Sequence, residues 1–299
     1  MRWLEVSVTV DPEVAEAVSE VFHRLNPDAE HGSAVIELRG FDPTGDVHRL
    51  QATVRTYLPD TPLGRERLRR IEEALGHLNA IRPVPEPIVR PLSEEDWLDA
   101  WKRHFQPLPV GQRLIVIPAW QPYEPEEGQI PIIIEPGMAF GTGLHPSTRL
   151  ALQLLESSVR PGARVLDVGT GSGILAIAAA RLGAVEVVAT DIDPQAVAAA
   201  RENIARNELT AKVQVHEGSF PARRTPFDVV VVNILHHVIL NLLDQGLWEY
   251  VRPGGDLLLS GIIRPHETEV LLAVTARGGR IAHRLVEEDW VALRVTRHD

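Results

Sequence analysis

Apolar residues in the first part of the chain change between an alternating and a helical spacing. Residues 2–10 alternate apolar and polar side chains, which is typical of a half-buried strand. Asp11 and Pro12 then begin a helix with its apolar positions on one face. Further strands are predicted at 33–39, 48–57 and 87–91, and a second helix at 62–78. The order β-α-β-β-α-β predicts a smaller ferredoxin-like α+β N-terminal domain, to which we assign residues 1–84.

A proline-rich segment follows this domain. Four prolines between residues 83 and 91 stiffen the chain, and Ser93 is placed to cap a short helix. Trp97, Trp101 and Phe105 share one face of that helix, since they follow one another at intervals of four residues. We assign residues 85–110 to a linker with a helix, and expect its aromatic face to pack between domains rather than bind substrate.

From Gly111 onward, short apolar strands alternate with helices. Strands are predicted at 164–168, 185–190, 213–216, 227–232 and 256–260. The intervening helices begin near Ser172, Pro194 and Leu235, and a hairpin-like pair at 280–287 and 290–297 ends the chain. This alternation predicts an α/β domain over residues 111–299, with a doubly wound, mainly parallel sheet and an antiparallel edge.

Composition narrows the functional classes. The 299 residues are 44% hydrophobic and 24% charged, which is ordinary for a globular protein long enough for two domains. The formal net charge of −11 argues against nucleic-acid binding and is compatible with a basic protein partner. No run reaches the roughly 18 apolar residues of a membrane span. Without cysteines or a signal-peptide pattern at its start, the chain is expected to be cytoplasmic, with no membrane contact.

Residues 167–173, Asp-Val-Gly-Thr-Gly-Ser-Gly, form the most informative motif of the chain. They connect a strand to a helix, a turn that brings bare backbone and free helical N–H groups to a ligand. A dinucleotide fingerprint needs a small sixth position, where this chain has Ile174. Asp167 would also repel a pyrophosphate but suits a ligand with an amino group. The pattern therefore favours S-adenosylmethionine over NAD.

Two further strand ends carry polar residues that we expect at the same crevice. Asp191 ends the next strand, twenty-two residues after Gly169, and is placed to bind a ribose diol. Asp193 and Pro194 begin the following helix. Asn233 ends a later strand and should face the same crevice, because ligands of doubly wound sheets bind at the carboxyl ends of the strands.

A strand-like start at 132–134 leads into a glycine-rich loop at 135–148, which adds to this constellation and carries a resemblance. This loop, Asp167–Gly173, Asp191–Pro194 and Asn233–Leu235 together resemble the PrmA family of ribosomal protein methyltransferases. With weaker matches around Trp97 and Leu259, the resemblance runs from residue 93 to 265. The N-terminal domain agrees with the family in architecture rather than in motifs. We predict a helix cap at Ser147 or Thr148, where the loop ends.

The resemblance implies a seven-stranded, Rossmann-like methyltransferase sheet and S-adenosylmethionine as the cofactor. It implies methylation of lysine and N-terminal amines on the large-subunit ribosomal protein numbered eleven, which the N-terminal domain would recognise. The predicted cofactor contacts are Thr148, Gly169, Asp191 and Asn233, to which we add Asp167, Gly171 and Phe140. Asn233 is also the candidate for positioning the substrate amine, and no metal site is expected.

Two departures from the family pattern leave alternatives open. Ser147 stands where the family usually has threonine, and His236, His237 and Val238 replace an alanine followed two residues later by proline. The second departure keeps a small-molecule amine N-methyltransferase as an alternative, beside a non-catalytic S-adenosylmethionine-binding protein. Because no Asn-Pro-Pro-Tyr motif follows the strand that ends at Asn233, an sp³ amine is a better substrate than a flat amide or base. We expect His145, His236 and His237 to be structural rather than proton acceptors.

Overall fold

A computed structural model describes residues 3–26, 35–39, 51–79, 82–92, 106–135, 143–221 and 225–298. The chain forms two compact units, Met1–Phe105 and Gln106–Asp299. The helix predicted to begin at Ser93, with its tryptophans, lies outside the described residues.

The first unit has the predicted β-α-β-β-α-β order. Its elements are β1 Trp3–Val10, α1 Pro12–Leu25, β2 Val35–Arg39, β3 Gln51–Pro59, α2 Pro62–Asn79 and β4 Ile88–Leu92. The four strands pair antiparallel in the order β2-β3-β1-β4. Val6, Val18, Phe22, Val54 and Ile71 are fully buried in the core beneath this sheet. The strand order confirms the ferredoxin-like prediction for the N-terminal part.

The second unit contains the predicted α/β sheet. Its strands are β5 Leu108–Val110, β6 Leu114–Pro118, β7 Ile130–Ile134, β8 Arg164–Val168, β9 Glu186–Asp191, β10 Val213–Glu217, β11 Phe227–Asn233, β12 Val251–Ile263, β13 Gly279–Glu287 and β14 Trp290–Arg297. Its helices are α3 Pro146–Ser158, α4 Ile174–Arg181, α5 Pro194–Arg206, α6 His236–Asp244 and α7 Glu267–Ala276, with short 3-10 helices at Leu247–Tyr250 and Arg264–His266.

Seven of these strands form one sheet in the order β10-β9-β8-β11-β12-β14-β13. The first five are parallel to one another, and β14 runs antiparallel to both of its neighbours. The doubly wound, mainly parallel, Rossmann-like prediction is therefore confirmed, including its antiparallel edge. The strand order reverses between β8 and β11, so the carboxyl ends of these two strands flank the crevice in which such sheets bind ligands.

Burial on both faces explains the composition of the central strands. The sequence of β11, Phe-Asp-Val-Val-Val-Val-Asn, is almost continuously apolar, as expected for a parallel strand covered by helices on both sides. Val165, Val187, Val230 and Val232 are completely buried. In the described part of the chain, no helix is both long and apolar enough to cross a membrane.

Apart from the strand-like residues 132–134 in β7, two parts of the second unit were not predicted. Strands β5, β6 and β7 form a separate sheet, in which β5 pairs antiparallel and β7 parallel to β6. Helix α7 packs on α6 and β13. Both escaped the periodicity analysis, because the strands are short and contain prolines and because the apolar residues after the polar first turn of α7 do not keep to one face.

Buried asparagines of α5 attach β7 to the rest of the second unit. Asn207 donates from Nδ2 to the Ile133 carbonyl at 2.6 Å and accepts from the Ile133 N–H at 3.0 Å. Asn203 accepts from the Glu135 N–H at 2.8 Å and donates to the Ser172 carbonyl at 2.9 Å. The two side chains are almost fully buried, so they satisfy backbone groups that would otherwise lose their hydrogen bonds to water.

We predict that Asn207→Ala destabilises the protein by about 3 kcal/mol, because it leaves the N–H and the carbonyl of Ile133 without a buried partner. The free energy of unfolding from denaturant titration measures this loss. Asn241→Ala is a matched control, since Asn241 is exposed on α6 and its removal should change stability by less than about 0.5 kcal/mol. Equal effects of the two substitutions would contradict the role assigned to Asn207.

Candidate functional site

The glycine turn after β8 lies against the ends of the neighbouring strands. The N–H groups of Gly169 and Thr170 donate to the Thr190 carbonyl at the end of β9, at 2.8 and 2.9 Å. Gly169 has a φ of +73°, and a Cβ on it would lie 2.7 Å from a methyl group of Ile234. A side chain at this position would therefore be strained by its φ and would collide with the residue that follows β11. The sequence keeps bare backbone where the reversal of strand order opens the crevice.

Asp191, at the end of β9, accepts a hydrogen bond from this turn. Its Oδ2 accepts from the Gly171 N–H at 2.9 Å, and its Oδ1 accepts from the Asp193 N–H at 3.0 Å. Asp193 caps α5 through the Gln195 N–H, as predicted, so the two carboxylates have separate roles. Each oxygen of Asp191 keeps a lone pair beyond these bonds, and its side chain is partly exposed. The structure thus brings Gly171 and Asp191 together with one carboxylate available to a hydroxyl-bearing ligand.

Asp167 lies beneath the turn and is completely buried. Its Oδ2 accepts from the Thr170 hydroxyl at 2.6 Å, while its Oδ1 has no hydrogen-bond donor among the described residues. Burial raises the pKa of Asp167 to about 7, and the charge of Asp191 acts in the same direction, against the hydrogen bonds to the carboxyl from the Thr170 hydroxyl and the Ala176 backbone. A buried carboxylate with an unfilled acceptor is stabilised by a proton or by a cationic group of a ligand.

Asn233 and Thr148 meet at the end of β11. The Asn233 Nδ2 donates to the Thr148 hydroxyl at 3.3 Å, and its Oδ1 is buried without a donor in the part of the chain that the structure describes. Only 6% of Asn233 is exposed. Thr148 is fully buried on α3, and the Ser260 hydroxyl donates to the neighbouring Ser147 carbonyl at 2.8 Å. Strands β11 and β12 and helix α3 therefore fix an amide oxygen that lacks a partner at the crevice.

The predicted cap of α3 at Ser147 or Thr148 is wrong. The helix begins at Pro146, and His145 is its N-cap, with Nδ1 accepting from the Ser147 N–H at 3.2 Å. A proline in the first turn has the φ of a helix and needs no donor there, so the helix starts earlier than the hydroxyl residues suggest. His145 therefore has a capping role, which agrees with its expected structural function.

The described ends of the glycine-rich loop contact α5, α4 and strand β6, of which only β6 was not predicted. Glu135 is bonded to Asn203, and Gly143 packs so closely on Val116 of β6 and Ile174 of α4 that a Cβ would lie 3.1–3.4 Å from them. The predicted contact Phe140, between these ends, lies outside the described residues.

Two apolar side chains at the carboxyl ends of the strands are exposed and were missed. Ile192 is 72% exposed between Asp191 and Asp193, and Leu235 is 52% exposed just after Asn233. The sequence contains a local signal of this exposure, because an isoleucine between two aspartates at the end of a strand is not expected to be buried. The two side chains leave apolar surface at this edge of the sheet, beside the polar groups of Asp191 and Asn233.

His236 and His237, which depart from the family pattern, also follow the carboxyl end of β11. His236 begins α6, and its ring stacks on that of His266 at a centroid distance of 3.8 Å, with 6° between the ring planes. The ring of His237 meets His236 edge-on at 5.5 Å. Partial burial and the neighbouring His266 lower the pKa of His236, against the attraction of Glu269. A low pKa keeps His236 neutral at neutral pH.

A cavity of about 460 Å³ lies at the opposite, amino-terminal edge of the sheet, lined in part by Arg160 and Arg280. Two ion pairs close much of it, Arg252 with Asp228 and Arg294 with Asp256. Since the glycine turn, Asp191 and Asn233 are all at the carboxyl ends of the strands, this cavity does not belong to the site.

Comparison with known proteins gives a single family over the whole chain. The family model described as "Ribosomal protein L11 methyltransferase (PrmA)" matches residues 2–298. Proteins named ribosomal protein L11 methyltransferase from Chloroflexus aurantiacus and Herpetosiphon aurantiacus are 42% and 39% identical to the chain. These alignments cover 97% of both chains in the first case and 98% of both in the second. A crystal structure of a ribosomal protein L11 methylase from Lactobacillus delbrueckii subsp. bulgaricus is similar at a TM-score of 0.60 and 34% identity, covering 65% of this chain and 100% of that one.

Asp167 gives the site a measurable pH dependence. Its pKa of about 7 in the folded state exceeds the 3.8 of a free aspartate, so the folded protein keeps a proton that the unfolded chain releases. As the pH rises from 5 to 7, the wild-type protein should lose stability relative to Asp167→Asn by about 1.4 kcal/mol per pH unit, with no further loss above pH 7.

The measurement is the free energy of unfolding of both proteins from pH 5 to 8. Other titrating groups are common to both proteins and cancel in the difference. A difference that stays constant over this range would show that Asp167 is not protonated in the folded state.

Proposed function

The chain belongs to the PrmA family of ribosomal protein L11 methyltransferases, and on this premise we propose that the crevice between Gly169, Asp191 and Asn233 binds S-adenosylmethionine for methyl transfer. The single observation that carries the proposal is the contact of Gly171 with Asp191, which joins the turn after β8 to the end of β9, beside the point where the strand order reverses between β8 and β11. The enzyme is a methyltransferase that depends on S-adenosylmethionine.

Asp191 and Ile192 suit the nucleoside half of this ligand. The lone pairs that Asp191 keeps beyond Gly171 and Asp193 would accept from the two ribose hydroxyls. The exposed side chain of Ile192 offers an apolar face on which adenine can lie. On the far side, the Gly218 N–H donates to the Asp191 carbonyl at 2.7 Å, which holds the chain after β10 close to this strand end.

Asp167 and the glycine turn suit the methionine half. The Oδ1 of Asp167 lacks a donor among the described residues, and burial raises the pKa of its carboxyl, so an ionised Asp167 needs a partner. An α-amino group would supply both the donor and the charge, directly or through water. The positive φ values of Gly169 and Gly171 keep the backbone of the turn open to the ligand. Phe140 remains a proposed contact from the sequence.

Asn233 is proposed to orient the amine that receives the methyl group. Bound S-adenosylmethionine supplies an electrophilic methyl on a sulfonium, which leaves with the electron pair of the broken C–S bond. The chain has to hold a neutral amine in line with that bond. The Oδ1 of Asn233 would accept an N–H of the amine, and the Thr148 hydroxyl holds the Asn233 side chain through its Nδ2. Burial at this edge lowers the pKa of an amine and favours the neutral form.

The proposed substrate is ribosomal protein L11, at lysine and N-terminal amines. Its support is the name shared by the relatives, which align with both units of this chain. The net charge of −11 favours a basic protein partner. We assign recognition of that protein to the ferredoxin-like domain, 1–84 together with its last strand β4 (Ile88–Leu92), and catalysis to 111–299, with the rest of 85–110 as the linker. Because the substrate is a ribosomal protein, the proposed location is the cytoplasm.

Asp191→Ala should weaken binding of S-adenosylmethionine by roughly 1.5–3 kcal/mol, because charge-assisted hydrogen bonds to the ribose are lost. Isothermal titration calorimetry measures the change. Asp193→Ala is the matched control. It removes the N-cap of α5, which should cost about 1 kcal/mol of stability, but it leaves the crevice intact. If both variants bind S-adenosylmethionine as tightly as the wild type, the ribose assignment is wrong.

Methylation itself is tested by mass spectrometry of purified ribosomal protein L11 after incubation with the enzyme and S-adenosylmethionine. We expect mass gains in steps of one methyl group, mapped to lysine side chains or the N-terminal amine. A chain that lacks residues 1–90 should keep its affinity for S-adenosylmethionine but lose this activity.

The affinity for S-adenosylmethionine tests the cofactor assignment, and the methylation assay tests the substrate assignment. No methylation despite tight binding of S-adenosylmethionine would reject ribosomal protein L11 as the substrate and favour a small amine. Full activity of the shortened chain would reject the role assigned to the N-terminal domain.

A further inference from the structure

Three potential metal ligands come together beside the crevice. They are His236 at the start of α6, His266 at the end of the 3-10 turn after β12, and Glu269 in the first turn of α7. One ligand atom of each lies within 4.8 Å of those of the other two. The sequence does not predict a metal site here, because His236 stands thirty residues before His266 and only the fold brings them together.

The distances are close to those of a coordination shell. Metal–nitrogen and metal–oxygen bonds of 2.0–2.2 Å in a tetrahedron place neighbouring ligand atoms about 3.3 Å apart. The Nδ1 of His266 and the Oε1 of Glu269 are 3.1 Å apart, a distance at which a ring N–H donates to the carboxylate. A metal ion would take the place of the proton of that hydrogen bond. The rings of His236 and His266 are parallel, with centroids 3.8 Å apart, so a ring has to rotate before both nitrogens face the same ion.

The surroundings allow that rotation and limit which residues can take part. Both histidines are partly exposed and Glu269 is exposed, so their side chains are not locked by packing. Glu267 already binds Arg284 through both carboxylate oxygens, at 2.5 and 2.8 Å, and is not available. The helix N-termini of α6 and α7 disfavour a cation, and the charge of Glu269 opposes that effect.

We propose that His236, His266 and Glu269 bind a divalent transition-metal ion such as Zn²⁺, Co²⁺ or Ni²⁺. Two imidazoles and one carboxylate are a ligand set for these ions, whereas Mg²⁺ and Ca²⁺ take oxygen ligands. Water completes the shell, because three protein ligands leave one tetrahedral position open. The ion joins the turn after β11 to the turn after β12, beside Asn233. This site does not depend on the proposed function, since neither S-adenosylmethionine nor an amine contributes to it.

The test is calorimetric titration of the full-length, tag-free protein with Zn²⁺, and absorption spectroscopy with Co²⁺. We expect one tightly bound equivalent and the intense visible bands of four-coordinate Co²⁺. His236→Ala and His266→Ala should each weaken Zn²⁺ binding by at least about tenfold, and Glu269→Gln by about tenfold. Mg²⁺ should give no saturable binding.

His237→Ala is the matched control, because His237 is adjacent to His236 in sequence and equally able to bind a metal, but lies outside the cluster. It should change the affinity for Zn²⁺ less than about twofold. Thermal melts without metal check that each variant is folded, and His266→Gln replaces any alanine variant that is not. Wild-type binding below one equivalent, or an affinity unchanged in the His266 variants, would overturn the proposal.

Discussion

The hydrogen bond from the Gly171 amide to the Asp191 carboxylate is the contact on which the candidate site depends. It joins the turn after β8 to the end of β9, next to the N–H groups of Gly169 and Thr170 that bond to Thr190. Because all these groups are at the carboxyl ends of parallel strands, the register of the sheet decides where they meet. A shift of β9 by one residue would turn Asp191 away from the turn.

The site combines this fixed backbone with polar atoms that lack partners. The Asp167 Oδ1 and Asn233 Oδ1 are buried without donors among the described residues. Leaving such groups unpaired costs stability in the folded protein. The cost becomes a source of affinity when a ligand brings the missing donors. Polar ends of buried strands are therefore the places where this fold gives up stability for binding.

Much of the architecture could be predicted because its signals are local. The bounds of β8 and β14 agree with the predicted strands residue for residue, and the glycine turn, Asp191 and the cap at Asp193 follow from spacing alone. The three-residue strand β5 is too short to show an alternating pattern. The start of α3 was predicted wrongly because its N-cap is a histidine, followed by hydroxyl residues that are more common caps. The meeting of His236 with His266 is a property of the tertiary fold, which no local pattern encodes. The family resemblance was recognised over residues 93–265, whereas the family match extends over 2–298.

Asn203 makes two distant segments share one rigid group. Its planar amide holds the Ser172 carbonyl of the glycine turn on its nitrogen and the Glu135 N–H, at the start of the glycine-rich loop, on its oxygen. The separation of these atoms within an amide is fixed by covalent bonds, so a movement of one segment is transmitted to the other. Local opening of the turn and of the Glu135 end should therefore be a single cooperative event. Amide hydrogen exchange at the two places would then report one opening equilibrium, and a ligand that orders either segment protects both.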